Sequence, residues 1–266
     1  MKIRRSKKLK RNIVKCMIAV TIMTAFLTAC GNAESEAELM LAAAASLENV
    51  FEDELIPLFN KSYPNIEVVG TYASSGDLQT QIENGLEADV FFSAATKQMN
   101  ALNEEGYVDN DTRVDLLENK IVLIVPATGT ADYSSFMEIA DAETVAIGDP
   151  ESVPAGQYAQ EVLTNLDLWD TVSAKFSFGT KVTEVLAWVA EGSADAGIVY
   201  ATDAAAEPGV EVVAEAPEGS LETPVVYPVA VLTSGLYPDE AKVFVEFLQT
   251  DEAKDVFEKY GFTVNE

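Results

Sequence analysis

Four short segments of the chain place small and hydroxyl-bearing residues where a strand is predicted to give way to a helix. They are residues 43–46 (Ala-Ala-Ala-Ser), 73–76 (Ala-Ser-Ser-Gly), 150–156 (Pro-Glu-Ser-Val-Pro-Ala-Gly) and 178–182 (Phe-Gly-Thr-Lys-Val). Hydroxyl groups and the free backbone N–H groups of a helix N-terminus donate hydrogen bonds, and the helix dipole favours negative charge there. Taken singly, each serine is explained by helix capping. Taken together, the four segments fit a binding site for an anion.

The elements that would position these segments alternate between strand and helix from residue 39 to residue 260. Apolar runs at residues 39–44, 66–72 and 120–126 predict strands, and the apolar spacing of residues 46–59 predicts a helix with Ser46 as its N-cap. Helical crossovers between strands predict parallel pairing, and ligands of such sheets bind beyond the carboxyl ends of the strands. The sequence therefore predicts an α/β fold with the four segments near one another.

Two residue types that many enzymes need are absent or scarce. The chain has no histidine, and its cysteines are Cys16 and Cys30 alone. This composition excludes Ser-His-Asp and Cys-His catalysis, and it excludes the usual zinc, copper and nickel sites. The composition therefore removes the commonest nucleophilic enzymes and transition-metal sites from consideration.

The N-terminus has the pattern of an export signal. Eight of the 17 basic residues lie in residues 1–15, and an apolar run, residues 16–27, follows. The segment Leu-Thr-Ala-Cys at residues 27–30 resembles a bacterial lipoprotein signal, which predicts a signal peptide over residues 1–29, lipidation of Cys30 and a tether over residues 30–38. The alternative is an uncleaved N-terminal anchor. Both interpretations predict an extracytoplasmic protein tethered to the membrane.

The rest of the chain is strongly acidic. The formal net charge is −27, and without the eight basic residues of the predicted signal it becomes 9 − 44 = −35. Such a charge argues against nucleic acid or an anionic membrane surface as a partner. It does not prevent anion binding, because hydrogen-bond donors act at short range while salt screens surface charges beyond about 8 Å.

Several motifs resemble one family in order and spacing. They are Ala-Ala-Ala-Ser-Leu at 43–47, Ala-Ser-Ser-Gly at 73–76, Gly-Asp-Pro-Glu-Ser-Val-Pro-Ala-Gly-Gln-Tyr-Ala at 148–159, Gly-Ile-Val-Tyr at 197–200, Tyr-Pro-Val-Ala-Val at 227–231 and Tyr-Gly-Phe at 260–262. The chain from about residue 39 to residue 263 resembles the molybdate-binding subunit of ABC importers. The resemblance implies a type II periplasmic-binding-protein fold, with mixed sheets flanked by helices and a cleft between two lobes. Lobe I would hold residues 38–118 and 226–266, and lobe II residues 119–225.

The resemblance also implies which residues contact the ligand. The matching positions are the hydroxyls of Ser46, Ser75 and Tyr200 and the backbone donors Ala155 and Val182. Molybdenum would be held as its tetrahedral oxyanion, by hydrogen bonds alone. The sequence departs from the family beside Val182, where it carries Lys181 and relatives often carry an acid.

The function implied is the capture of molybdate, and of tungstate as well, for delivery to an ABC permease. The protein would be a monomer without a cofactor or an enzymatic activity. One alternative is a binding protein for another oxyanion such as sulfate or thiosulfate, or for a small carboxylate, although a carboxylate is usually held by arginine and Arg113 is the only arginine after the signal. The other is a secreted hydrolase with Ser75 as nucleophile, which would lack a histidine and a nearby lysine as base.

Overall fold

The computed structural model describes residues 37–129 and 133–265. The predicted signal peptide, the lipidation site Cys30 and most of the tether lie outside the described residues. The first strand begins at Ala37, two residues before the apolar run that predicted it. Within the described part of the chain, no helix combines the length and the apolar character that crossing a membrane requires.

The secondary structure alternates as predicted, with short 3-10 turns between the longer elements. The strands are β1 (Ala37–Ala44), β2 (Ile66–Ala73), β3 (Val90–Phe92), β4 (Val114–Asn119), β5 (Ile121–Pro126), β6 (Val145–Gly148), β7 (Phe176–Gly179), β8 (Ala196–Tyr200), β9 (Val210–Glu215), β10 (Val225–Val231) and β11 (Thr263–Val264). The helices are α1 (Glu48–Val50), α2 (Ile56–Ser62), α3 (Ser75–Glu83), α4 (Thr96–Glu104), α5 (Pro154–Asn165), α6 (Trp169–Val172), α7 (Val182–Ala190), α8 (Ala201–Ala206), α9 (Pro238–Phe247) and α10 (Asp251–Lys259). A π-helical segment, Phe51–Leu55, joins α1 to α2.

The strands form two mixed sheets. The six-stranded sheet has the order β11-β4-β10-β3-β1-β2, and the five-stranded sheet has the order β7-β6-β8-β5-β9. Strands joined by helical crossovers pair in parallel, as in β1 with β2 and β6 with β7, whereas β10 and β5 run antiparallel to both of their neighbours. The mixed α/β fold is therefore confirmed. The parallel pairing predicted from the crossovers holds only for part of each sheet. The chain reaches β5 and β10 from a strand of the other sheet and not through a helical crossover within the same sheet, and these two strands are antiparallel to their neighbours.

The chain passes between the two sheets twice. It leaves the six-stranded sheet at Asn119 and enters the five-stranded sheet at Ile121, and it returns between Glu215 and Val225. The first passage has a single residue between strands, Lys120, so β4 and β5 are nearly continuous. The lobe boundaries that the resemblance implies remain a prediction, and these passages lie close to them.

Buried apolar side chains cover the faces of both sheets. On one face of the six-stranded sheet, five phenylalanines pack mostly edge to face, at centroid distances from 4.9 to 6.2 Å among the pairs Phe51–Phe92, Phe51–Phe257, Phe59–Phe244 and Phe92–Phe257. On its other face, α3 and α4 bury Leu78, Ile82, Met99 and Leu102. The edge-to-face phenylalanine pairs stabilise the fold beyond what the burial of their apolar surface contributes. Without any cysteine after residue 30, this apolar core has to stabilise the fold without disulfides.

Candidate functional site

The structure brings the five predicted contact residues together around one cavity. Ser46, Ser75, Ala155, Val182 and Tyr200 all line it, although they come from five separate places in the chain and from both sheets. The cavity is small, with a volume of about 10 Å³. Pockets for drug-sized molecules measure about 300–1,000 Å³, so these walls suit a ligand of a few atoms.

Ser75 is the first residue of α3 and is fully buried. The capping role belongs to its neighbour Ser74, whose side chain accepts a hydrogen bond from the backbone N–H of Asp77 at 3.1 Å. The Ser75 Oγ accepts instead from the backbone N–H of Ala94 at 2.9 Å. Because that bond uses a lone pair of the oxygen, the hydroxyl proton of Ser75 is left to donate to another acceptor.

Ser46 does not cap a helix, so that prediction was wrong. It lies inside a 3-10 turn, Ala45–Leu47, whose N-cap position is Ala44, and no side chain caps the turn. The Ser46 Oγ lies 3.1 Å from the Oη of Tyr227. The strand β1 ends in three alanines, Ala42 to Ala44, which lead directly into the turn, and Ser46 lines the cavity.

Ala155 and Val182 lie at the starts of α5 and α7, as the sequence predicted from Pro154 and from the apolar spacing after residue 181. The first N–H groups of a helix have no intrahelical acceptor. Neither N-cap residue, Val153 or Lys181, offers a side-chain hydrogen bond to them. The side chains of Ala155 and Val182 are apolar and buried. These two residues can therefore offer only backbone groups for hydrogen bonding at the cavity.

Tyr200 ends β8 and is buried, with 1% of its surface exposed. Its hydroxyl donates to the carbonyl of Ala94 at 3.5 Å, which is long for an O–H···O hydrogen bond. Burial, followed by the neighbouring Tyr227, raises the pKa of Tyr200 well above its ordinary value. The phenol therefore stays protonated and is a donor that a nearby anion can recruit.

Two residues next to the site were not singled out from the sequence. Tyr227 is fully buried, its ring packs edge to face on that of Tyr200 at 5.5 Å, and its hydroxyl contacts Ser46. Asn119 donates from Nδ2 to the Tyr227 Oη at 3.3 Å and to the Thr202 Oγ1 at 2.8 Å. Tyr227 belongs to the Tyr-Pro-Val-Ala-Val motif at 227–231, which was the one sequence signal that could have pointed to it.

Contacts join the two sheets' loops and helices beside the cavity. The backbone N–H of Gly76 donates to the carbonyl of Ser152 at 2.9 Å. Gln98 of α4 donates from Nε2 to the Oε1 of Gln157 of α5 at 3.2 Å. These contacts hold segments from the two sheets together beside the cavity.

None of the residues that line the cavity has a charged side chain. Lys181 and Arg113 are not among the cavity-lining residues, and Arg113 bonds Asn100 and Asp115. In residues 37–129 and 133–265, no cluster of three potential metal ligands exists. One carboxyl group is buried nearby: Asp203 of α8, whose pKa burial raises to about 7.

A larger cavity of about 320 Å³ lies where the chain passes between the sheets. Its walls include Lys120 but also the carboxylates Glu215, Glu218 and Glu222. An acidic wall does not suit an anion, and none of the five predicted residues reaches it. The small cavity, with its convergent donors, is therefore the candidate site.

Known proteins that resemble this chain over most of its length are solute-binding proteins. Residues 39–263 match the family of bacterial extracellular solute-binding proteins. The Bacillus subtilis protein YvgL, whose name describes a substrate-binding lipoprotein of an ABC transporter, is 41% identical over 94% of this chain and 98% of its own length. The molybdate-binding protein ModA of Escherichia coli is 39% identical over 88% of this chain and 92% of its own. The periplasmic molybdate-binding protein of Azotobacter vinelandii superposes with a TM-score of 0.75 at 26% identity, covering 86% of this chain and all of that one.

The family match spans most of the chain, and the relatives are covered almost end to end, so the similarity is not confined to a shared core. These proteins are named for binding a substrate or molybdate, and none of the three is named for catalysis. The chain belongs to the bacterial extracellular solute-binding proteins.

Proposed function

We propose that this protein binds molybdate in the small cavity and delivers it to an ABC permease. The observation that carries the proposal is the convergence of Ser46, Ser75, Ala155, Val182 and Tyr200, from both sheets, on one small space. The polar side chains that line it carry neutral hydroxyls, and the helix starts add backbone N–H groups. Relatives named as molybdate-binding proteins at 38–39% identity support the choice of ligand.

The chemistry of the site suits a fully deprotonated tetrahedral oxyanion. The hydroxyls of Ser46, Ser75 and Tyr200 and the N–H groups at the starts of α3, α5 and α7 would donate to its oxygens. Hydrogen bonds to a charged acceptor are stronger than those between neutral groups. The helix N-termini add a favourable dipole without adding a cation. Tungstate has the same charge and nearly the same size, so we propose that it binds too.

Discrimination against other oxyanions follows from the same walls. Hydrogen phosphate carries a proton near neutral pH, and a site made only of donors offers that proton no acceptor. Sulfate carries no proton but is smaller than molybdate, so its oxygens would reach fewer donors at good distance. We therefore propose that size selects against sulfate and protonation against phosphate.

Binding would be coupled to closure of the two lobes. The oxyanion touches residues of both sheets, so it favours the arrangement in which they approach. The Gly76–Ser152 and Gln98–Gln157 contacts would form in that arrangement. A membrane permease would then recognise the closed form, and the lipid predicted on Cys30 would keep the monomeric protein near it.

The test is calorimetric titration of the purified protein with molybdate, tungstate, sulfate and phosphate at pH 7. Molybdate and tungstate should bind most tightly, sulfate more weakly, and phosphate most weakly. The absence of heat with molybdate, or tighter binding of sulfate, would refute the proposed ligand. The same experiment addresses the carboxylate alternative if oxalate and citrate are included, and binding of either above molybdate would favour it.

A further inference from the structure

The orientation of the Asn119 side-chain amide is determined by its neighbours. Its Oδ1 accepts from the backbone N–H of Lys120 at 2.8 Å. A backbone N–H can only donate, so the atom that faces it must be the amide oxygen. The amide nitrogen therefore faces the other way, where its two protons point to the Thr202 Oγ1 at 2.8 Å and the Tyr227 Oη at 3.3 Å.

This orientation decides which way the Tyr227 hydroxyl donates. Tyr227 has no exposed surface, and burial keeps its phenol protonated by raising its pKa. Its oxygen already accepts from Asn119. The phenolic proton still needs an acceptor, and the Ser46 Oγ lies within hydrogen-bond distance, at 3.1 Å. The neighbouring phenol of Tyr200 donates its own proton to the Ala94 carbonyl, and its oxygen is the competing acceptor for the Tyr227 proton.

The Ser46 oxygen then accepts from Tyr227, and its own proton is directed away from Tyr227. Ser46 lines the cavity, so that is where the proton can go. Building on the proposed function, we propose that Asn119 is a positioning residue that acts through Tyr227 to hold Ser46 as a hydrogen-bond donor toward the oxyanion. Asn119 touches no ligand. It makes the site select anions without a proton.

The three residues belong to one sheet and its adjoining turn. Asn119 ends β4, Tyr227 lies in the neighbouring strand β10, and Ser46 follows β1. The relay therefore does not depend on closure of the second sheet against the first, and it should exist in the protein without an anion.

Asn119→Asp should reverse the relay. An aspartate has no proton to donate, so Tyr227 would donate to it, and Ser46 would donate to Tyr227. Ser46 would then present a lone pair to the cavity. We expect molybdate affinity to fall by on the order of ten- to a hundred-fold, the loss for a missing hydrogen bond to a charged group. The ratio of phosphate to molybdate affinity should rise, because Ser46 could accept the proton of hydrogen phosphate.

Asn119→Asp also adds a negative charge near the site, so a matched control is needed. The double variant Asn119→Asp with Tyr227→Phe retains that charge but cuts the relay. We expect it to recover most of the lost molybdate affinity and to approach the single variant Tyr227→Phe. If the double variant binds molybdate as weakly as Asn119→Asp alone, the charge explains the loss and the relay is refuted.

A second measurement does not depend on any ligand. In the anion-free protein, the NMR signal of the Tyr227 hydroxyl proton should shift in the Ser46→Ala variant, because its acceptor is lost. An unchanged signal would overturn the relay. A wild-type protein that gives no heat with molybdate, but shows this shift, would refute the proposed function and leave the relay as a property of the fold.

Discussion

The backbone N–H of Gly76 donates to the carbonyl oxygen of Ser152 across 2.9 Å, and nothing larger than glycine fits at this contact. A Cβ atom on Gly76 would lie 2.4 Å from that oxygen and 2.7 Å from the Ser152 Cα. Gly76 is the second residue of α3 beside the six-stranded sheet, and Ser152 precedes α5 beside the five-stranded sheet. Glycine is needed here because two backbones approach each other.

Gly76→Ala should impair closure while leaving each sheet intact. The added methyl group would clash with backbone atoms, which cannot rotate away, so the closed arrangement would become less populated. We expect molybdate affinity to fall by on the order of tenfold or more, in line with a reduced binding-competent fraction. Calorimetry would measure the affinity, and small-angle X-ray scattering would measure whether molybdate still reduces the radius of gyration.

Gly156→Ala is the matched contrast. A Cβ at Gly156 would lie 2.0 Å from the carbonyl oxygen of Gly148, but both residues belong to the five-stranded sheet and its helix α5. Its clash should therefore lower the unfolding temperature of the anion-free protein, whereas Gly76→Ala should leave that temperature nearly unchanged. Equal losses of stability in both variants would contradict the assignment of Gly76 to closure.

Ser75→Ala should weaken molybdate binding by about 1–3 kcal/mol, the usual loss for a missing hydrogen bond to a charged group. The control is Ser74→Ala, which removes the cap of α3 from the neighbouring position. Loss of a cap typically lowers stability by about 1 kcal/mol, so Ser74→Ala should lower the unfolding temperature with little effect on affinity. Calorimetry and thermal unfolding of both variants would separate the two roles, and equal affinities in both would remove Ser75 from the site.

The Gln98–Gln157 pair should make the closed form costly. The pair shares one hydrogen bond, while the Gln98 Oε1 and the Gln157 Nε2 are buried without a partner. Replacing both side chains with methionine removes two unsatisfied polar atoms at similar volume, which is often neutral or stabilising. We expect the double variant to release molybdate more slowly in stopped-flow experiments. Gln157→Met alone should release molybdate faster than the wild-type protein, because it leaves Gln98 buried without any partner. Faster release from the double variant would contradict this interpretation.

Asp203 should make stability depend on pH between about 4 and 7. Its folded-state pKa of about 7 lies above the ordinary value of 3.8, because burial disfavours the charged form. In that interval the folded state holds a proton that the unfolded state has lost, so the free energy of unfolding falls as pH rises, by at most about 1.4 kcal/mol per pH unit.

Asp203→Asn is the control for that slope. The amide cannot ionise, so raising the pH from 5 to 8 should lower the unfolding temperature of the wild-type protein relative to that of the variant. Asp195 and Glu138 have pKa values lowered chiefly by backbone N–H groups of Thr144 and Ser134, respectively, so their stabilisation is lost only on acidification below this interval. Parallel curves for the two proteins would show that Asp203 does not titrate in this range.

Much of the fold could be predicted from local patterns. The starts of α5 at Pro154 and of α7 at Val182 follow from a proline suited to a first turn and from apolar spacing. The strands β4 and β7 were not predicted. In β4, polar and charged residues interrupt the apolar ones in Val-Asp-Leu-Leu-Glu-Asn, and β7 exposes part of Phe-Ser-Phe-Gly. Neither strand therefore has the continuous apolar run of a buried strand.

The sequence by itself determined the types of residue available and the local elements that carry them: hydroxyls and small residues before helices, no histidine, and an apolar core without disulfides. It could not determine which side chains bond each other across the fold. Ser46 was predicted to cap a helix, yet its hydroxyl pairs with Tyr227, 181 residues away along the chain. Only the tertiary structure brings Asn119 and Ser46 within hydrogen-bond distance of Tyr227 and places Gly76 against Ser152. Helix capping depends on residues two or three positions apart in the sequence. The direction in which a buried hydroxyl donates depends on the partners that the folded sheets bring within about 3 Å of it.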